Sequence, residues 1–148
     1  MTTLHKARAG LPLAALLVLL ISAPSCQWAG DKTAAHASFI VLKQQVQDVS
    51  TRLNSAIESG ENDRVQALDK ELNTTLDAAM KQSSAMNLLD REHLAINVAT
   101  ARRCLTDMDR FAQSGDSDLV RNQAQQLKPT VDEIVELLDR AERTTTAK

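Results

Sequence analysis

The chain predicts an all-α protein, an antiparallel up-down-up-down four-helix bundle built from two repeated helical hairpins behind a cleaved leader, and three observations predict it. From Ala34 onward the only strong helix breakers are Gly60, Gly115 and Pro129, and the rest of that segment is rich in Ala, Leu, Gln, Lys, Arg, Glu and Asp, a helical composition. Apolar residues recur there at intervals of three and four, the spacing that gives a helix one buried face. A turn sequence also occurs twice, 55 residues apart, as Ser59-Gly60-Glu61-Asn62-Asp63 and Ser114-Gly115-Asp116-Ser117-Asp118.

The first helix carries the stripe Phe39, Leu42, Val46, Val49, Leu53 and Ala56. Its turn offers Gly60 for a left-handed C-terminal position, Asn62 as the next N-cap and Asp63 as an acid in the following first turn. Val65, Leu68, Leu72, Leu76 and Ala79, with Met80 beside them, mark the second helix. Between residues 82 and 90, Ser83, Ser84 and Asn87 favour a loop, whereas Met86, Leu88 and Leu89 would fit a helix. The reading adopted is a turn with Asp90 capping the third helix. The competing reading joins helices two and three into one rod, whose apolar face would need a homodimer to cover it.

Leu94, Val98, Ala101, Leu105, Met108 and Ala112 form the third stripe, and Ser117 is the expected cap of the fourth helix. Its stripe is Val120, Ala124, Leu127, Val131, Ile134, Leu138 and Ala141, in phase across Pro129, which predicts a kink instead of a stop. With the offset of 55, Leu53 aligns with Met108, Ile57 with Ala112, Val65 with Val120 and Leu72 with Leu127. None of the four helices can bury its stripe alone, so each must pack on the others, and short turns set the helices of a hairpin antiparallel. The bundle is expected over residues 35–143, with 144–148 a frayed polar tail.

Residues 1–25 have the order of a secretory signal peptide: Lys6 and Arg8, an apolar run from Leu11 to Ile21, then small residues. The run is about half the roughly 20 residues a spanning helix needs. Ala23-Pro24-Ser25-Cys26 resembles the lipobox of bacterial lipoproteins, with Ala23 where that family usually has Leu. The resemblance covers only the first 26 residues. It implies cleavage before Cys26, lipid attachment there through diacylglycerol and palmitate-type acyl chains, and a linker over 26–34. Gln27, not being Asp, implies sorting to the outer membrane, facing the periplasm. Each buried methylene contributes about 0.8 kcal/mol, so two or three chains hold a protein that one would release. Trp28 beside the anchor suits the headgroup layer. Read without the resemblance, the same residues are an ordinary signal with an incidental cysteine, and a Cys26 to Cys104 bridge is then open.

Removing residues 1–25 takes away Lys6 and Arg8 and no acid, so 17 minus 2 bases face 19 acids and the formal charge is -4. A mildly acidic domain is a poor partner for nucleic acid. With Cys26 lipidated, Cys104 is the single remaining thiol, on the flank of the third stripe, and is read as buried and inert.

Histidine is the scarce metal and haem ligand. Only His36 and His93 follow the leader, and in an up-down-up-down bundle they share a pole with Met86. A His, His, Met cluster could bind copper or haem, but two exposed helix-end histidines and a core-sealing methionine account for the same residues. The layout resembles the periplasmic b-type cytochromes of four-helix architecture. That family places a methionine early in helix one and a histidine late in helix four, and neither position is filled here. Asp90-Arg91-Glu92-His93 supplies only one of the paired carboxylate and histidine units that a di-iron bundle needs.

Asp132, Glu133, Glu136, Asp139 and Glu142 run along the fourth helix, as a solvated face or as a dock for a basic partner. No phosphate loop or nucleophile elbow is present in the sequence. The expectation is therefore a non-enzymatic, lipid-anchored envelope protein that uses its helices to bind another envelope protein. The alternative is a periplasmic bundle that carries haem or a metal ion.

Overall fold

The computed structural model describes the backbone of residues 27–146 and the side chains of residues 38–145. The expected leader and Cys26 lie outside the described residues. Four helices make up the fold: α1 (Gln27–Ser59), α2 (Asn62–Gln82), α3 (Leu88–Ser114) and α4 (Ser117–Thr146), with a short 3-10 turn at Ser83–Ala85 and no strand among the described residues. Each helix packs on the next in sequence and α1 also packs on α4, while the α2–α3 interface is the least extensive of these four.

One core joins all four stripes. Phe39, Val46, Leu53, Leu72, Leu76, Leu94, Leu105, Met108, Ile134 and Leu138 are all essentially fully buried. Of the stripe positions read from the sequence, only Ala124 stays partly exposed. The pairs related by the 55-residue offset, from Leu53 and Met108 to Leu72 and Leu127, are buried at both members.

The repeat extends to the hydrogen bonds of the two turns. Gly60 donates to the Ile57 carbonyl at 3.2 Å and Glu61 to Ala56 at 2.9 Å, and Gly115 donates to Ala112 at 3.1 Å and Asp116 to Phe111 at 3.0 Å. Both are Schellman turns, in which the two bonds satisfy carbonyls at the end of the helix. The glycines take φ of 70° and 74°, where a side chain costs about 1–2 kcal/mol. A Cβ at either glycine would meet nothing within 4 Å, so backbone strain is the whole effect of adding one. Gly60→Ala and Gly115→Ala should each lower the unfolding free energy in urea by about 1 kcal/mol. A loss of several kcal/mol at one site but not the other would contradict their equivalence.

The caps differ from the sequence reading. Asn62 and Ser117 are the first residues of α2 and α4 instead of their caps. Asp116 accepts from the Leu119 amide at 3.1 Å, one residue earlier than expected, because a carboxylate there also meets the positive end of the helix dipole. Glu61, at the corresponding place before α2, makes no side-chain cap bond and instead pairs with Arg64 at 3.1 Å.

Between α2 and α3 the chain turns, so the single-rod alternative does not occur. Met86 is extended, with φ -82° and ψ 162°, and Asn87 follows at φ -67° and ψ 161° as the cap of α3. Asp90, expected as that cap, is instead the helical residue three positions on. Its amide donates to Asn87 Oδ1 at 2.9 Å, capping the helix, and its carboxylate accepts from Asn87 Nδ2 at 2.5 Å, which holds the cap side chain in place.

Two boundaries also lie further out than the sequence suggested. α1 runs back to Gln27, so the backbone expected as linker is helical from that residue, and α4 runs on into the expected tail as far as Thr146. Thr145 Oγ1 donates to the Ala141 carbonyl at 2.6 Å. Pro129 lies within α4, and Leu127, Val131 and Ile134 on either side of it are buried.

Candidate functional site

Charged side chains knit the helices on their outer faces, and they divide the acidic run of α4 into two groups. Lys43 of α1 bridges Asp139 at 2.8 Å and Glu142 at 2.7 Å. These hydrogen bonds raise the Lys43 pKa, and the bond from Lys43 lowers that of Asp139. Arg143 also pairs with Asp139, and Lys128 holds Asp132 at 2.9 Å. Glu133 and Glu136 have no ion-pair partner among the described residues.

Those two glutamates border the groove between α3 and α4, a cleft of about 370 Å³ to which His93 and Ile96 contribute from α3 and Leu137 and Arg140 from α4. Arg140 closes one end by donating to Asp90 at 2.9 Å. The Asp90 side chain is 5% exposed and that of Arg140 49%. Asp90 thus fixes both the start of α3 and the position of α4 beside it.

Exposed apolar side chains gather near the start of α3, and of these Ile96 lines the groove. Leu88, Leu89 and Ile96 are 62%, 61% and 63% exposed, three of the five large hydrophobics in that state among the described residues. Leu89, His93 and Ile96 follow one another at i, i+4 and i+7, so they form a stripe on the outside of a helix whose inner face is filled by Leu94, Val98 and Ala101. Sequence periodicity assigned the buried stripe and left Ile96 unassigned, because an exposed isoleucine breaks no pattern.

The candidate ligands that share a pole in the sequence reading separate in environment. Met86 is buried at 9% exposure, sealing the core, whereas His93 is exposed in the groove. The side chain of His36 lies outside the described residues. No group of three or more His, Cys, Asp or Glu arranged to hold a metal occurs among the described residues. Cys104 is buried, as read, and burial together with nearby Asp107 pushes its thiol pKa up, away from the reactive thiolate. Within α3, His93 and Cys104 stand about 16 Å apart along the axis.

One titratable group was missed by the sequence reading. Asp69 of α2 is 8% exposed, and its pKa is pushed up to about 6 by loss of hydration and then by repulsion from Asp109, against a small opposing effect of Lys70. Its side-chain contact is weak, with Asn73 Nδ2 at 3.5 Å. The signal was present in the sequence, because residue 69 lies four after Val65 and three before Leu72, in phase with the buried stripe. Asp69 faces the thin α2–α3 interface, away from the α3–α4 groove, and has the character of a stability determinant.

No family model, curated protein or solved structure matches the chain.

Proposed function

We propose that the protein is a lipid-anchored lipoprotein of the cell envelope whose helices form an antiparallel up-down-up-down bundle, and that the bundle is a non-enzymatic module for binding another protein. The observation that carries the reading is the exposed Leu89 and Ile96 on one face of a helix whose core-facing side is already complete. Surface apolar residues gathered in one place mark contact sites.

The ion pairs support the topology. Lys43 meets α4 at residues 139 and 142, while residues 54 and 58 of α1 line a cleft with Arg121 and Gln125, so α4 runs backward along α1. The pairs Arg52 with Glu71 and Arg102 with Asp77 connect α1 to α2 and α2 to α3.

Anchoring rests on the lipobox-like residues and on their distance from the domain. α1 begins at Gln27, immediately after Cys26, and a continuous helix would place Phe39, the first buried side chain among those described, about 20 Å from the modified residue. That spacing holds the bundle clear of the headgroups while keeping it tethered. Growth with labelled palmitate should mark the wild type and leave Cys26→Ala unlabelled. Equal labelling of both would overturn the anchoring.

A further inference from the structure

We propose that the α3–α4 groove docks a basic amphipathic helix of another protein. The inference rests on the interaction-module reading and gives that site a partner of definite chemistry. Two features select the partner. Ile96 lines the groove, and Leu89 lies on the same face of α3 one heptad before it, beyond the cleft and about 10 Å along the helix, the separation of successive apolar anchors on a partner helix laid alongside. Glu133 and Glu136, spaced i and i+3 on α4, line the opposite wall without a basic partner among the described residues, while their neighbours Asp132 and Asp139 are held by Lys128 and by Lys43 with Arg143.

The cleft, of about 370 Å³, accepts only side chains, so the partner backbone lies on top of it and sends one or two anchors down. Leucine-type anchors between α3 and α4 and Lys or Arg over Glu133 and Glu136 satisfy both walls. A second copy of this chain presenting the same groove would bring its own Glu133 and Glu136 against these, an arrangement that like-charge repulsion opposes. Charge complementarity therefore selects a basic partner over self-association.

The probe is a fluorescein-labelled Leu/Lys peptide with leucines at i, i+3, i+4 and i+7, titrated by anisotropy against the full chain purified from its host in detergent. A scrambled peptide of the same composition keeps the charge and loses the apolar face. Saturable binding of the amphipathic peptide is expected, with about tenfold weakening for the scrambled peptide, for Ile96→Asp, and for Glu133→Gln combined with Glu136→Gln. Glu58→Gln combined with Asp63→Asn removes the same charge near the Gly60 turn and should leave affinity within about twofold.

Circular dichroism checks that each variant keeps its helices, which Ile96→Asp should do because the side chain is exposed. Absence of saturable binding overturns the proposal, as does an Ile96→Asp variant that binds like the wild type, or a control pair that weakens binding as much as the groove pair. A wild-type dimer that Ile96→Asp disperses would also overturn it, by assigning the groove to a second copy. Cys26→Ala should bind the peptide unchanged, so a failed anchor and a failed groove give different results.

Discussion

Replacing Leu138 by alanine should lower the unfolding free energy by about 2–5 kcal/mol, a large part of the roughly 5–15 kcal/mol that keeps a domain folded. Leu138 is fully buried, nine residues beyond Pro129 on the α4 stripe. Truncating it removes apolar contact and leaves a cavity that neighbours on separate rigid helices can only partly fill. Leu119 is a leucine of the same helix that remains 40% exposed, so Leu119→Ala should cost no more than about 1 kcal/mol. Urea denaturation of the two variants makes the comparison. Equal losses would mean that α4 does not keep one inward face across the proline.

This contrast marks what was legible in the sequence. The four stripes were, because burial of one face imposes a period of three and four that survives any choice of side chain at the exposed positions. The Gly60 and Gly115 turns were too, since a left-handed residue at a helix end is nearly a glycine signature. Cap positions were displaced by one to three residues. Asp116 and Ser117 are both competent caps, as are Asn87 and Asp90, and only the path of the chain decides which one faces the free amides. Ile96 and the pairing of the α4 acids were not legible, because which exposed residues become neighbours depends on how the helices pack.

The second large effect is electrostatic. Asp69 has a folded-state pKa of about 6, above the ordinary value of 3.8, so the folded protein binds this proton more tightly than the unfolded chain. Its protonation then contributes stability that is fully present below about pH 4 and is lost as pH rises through about 6. A displacement of about two pH units sets a ceiling of about 3 kcal/mol across that range, lowered by the hydration the carboxyl group keeps. Asp139, whose pKa is lowered by Lys43, acts in the opposite sense and loses its contribution as pH falls. A single pH profile would mix the two.

Asp69→Asn separates them, because the carboxamide keeps the shape of the side chain and cannot ionise. The variant should match the wild type near pH 4 and exceed it by up to about 3 kcal/mol above pH 7. A difference that does not change with pH would contradict the assignment. The effect is expected at the α2–α3 interface, where packing is thinnest and Asp109 stands opposite. Hydrogen exchange should therefore show α2 amides opening more readily at neutral than at acid pH, after correction for the intrinsic exchange rate.

In the function proposed above, Cys26 carries the tether and the helical body makes no membrane contact of its own. No described helix is long and apolar enough to cross a membrane, so on this account membrane association depends on the acyl chains. Membrane fractionation of cells producing the wild type, or residues 27–148 behind a signal peptide whose cleavage needs no lipidated cysteine, tests this most directly. The account predicts wild type that stays with the membranes after a high-salt wash and a lipid-free form that is exported, released in soluble form and equally helical by circular dichroism. Retention of the lipid-free form on the membranes, or wild type recovered wholly in the soluble fraction, would contradict it.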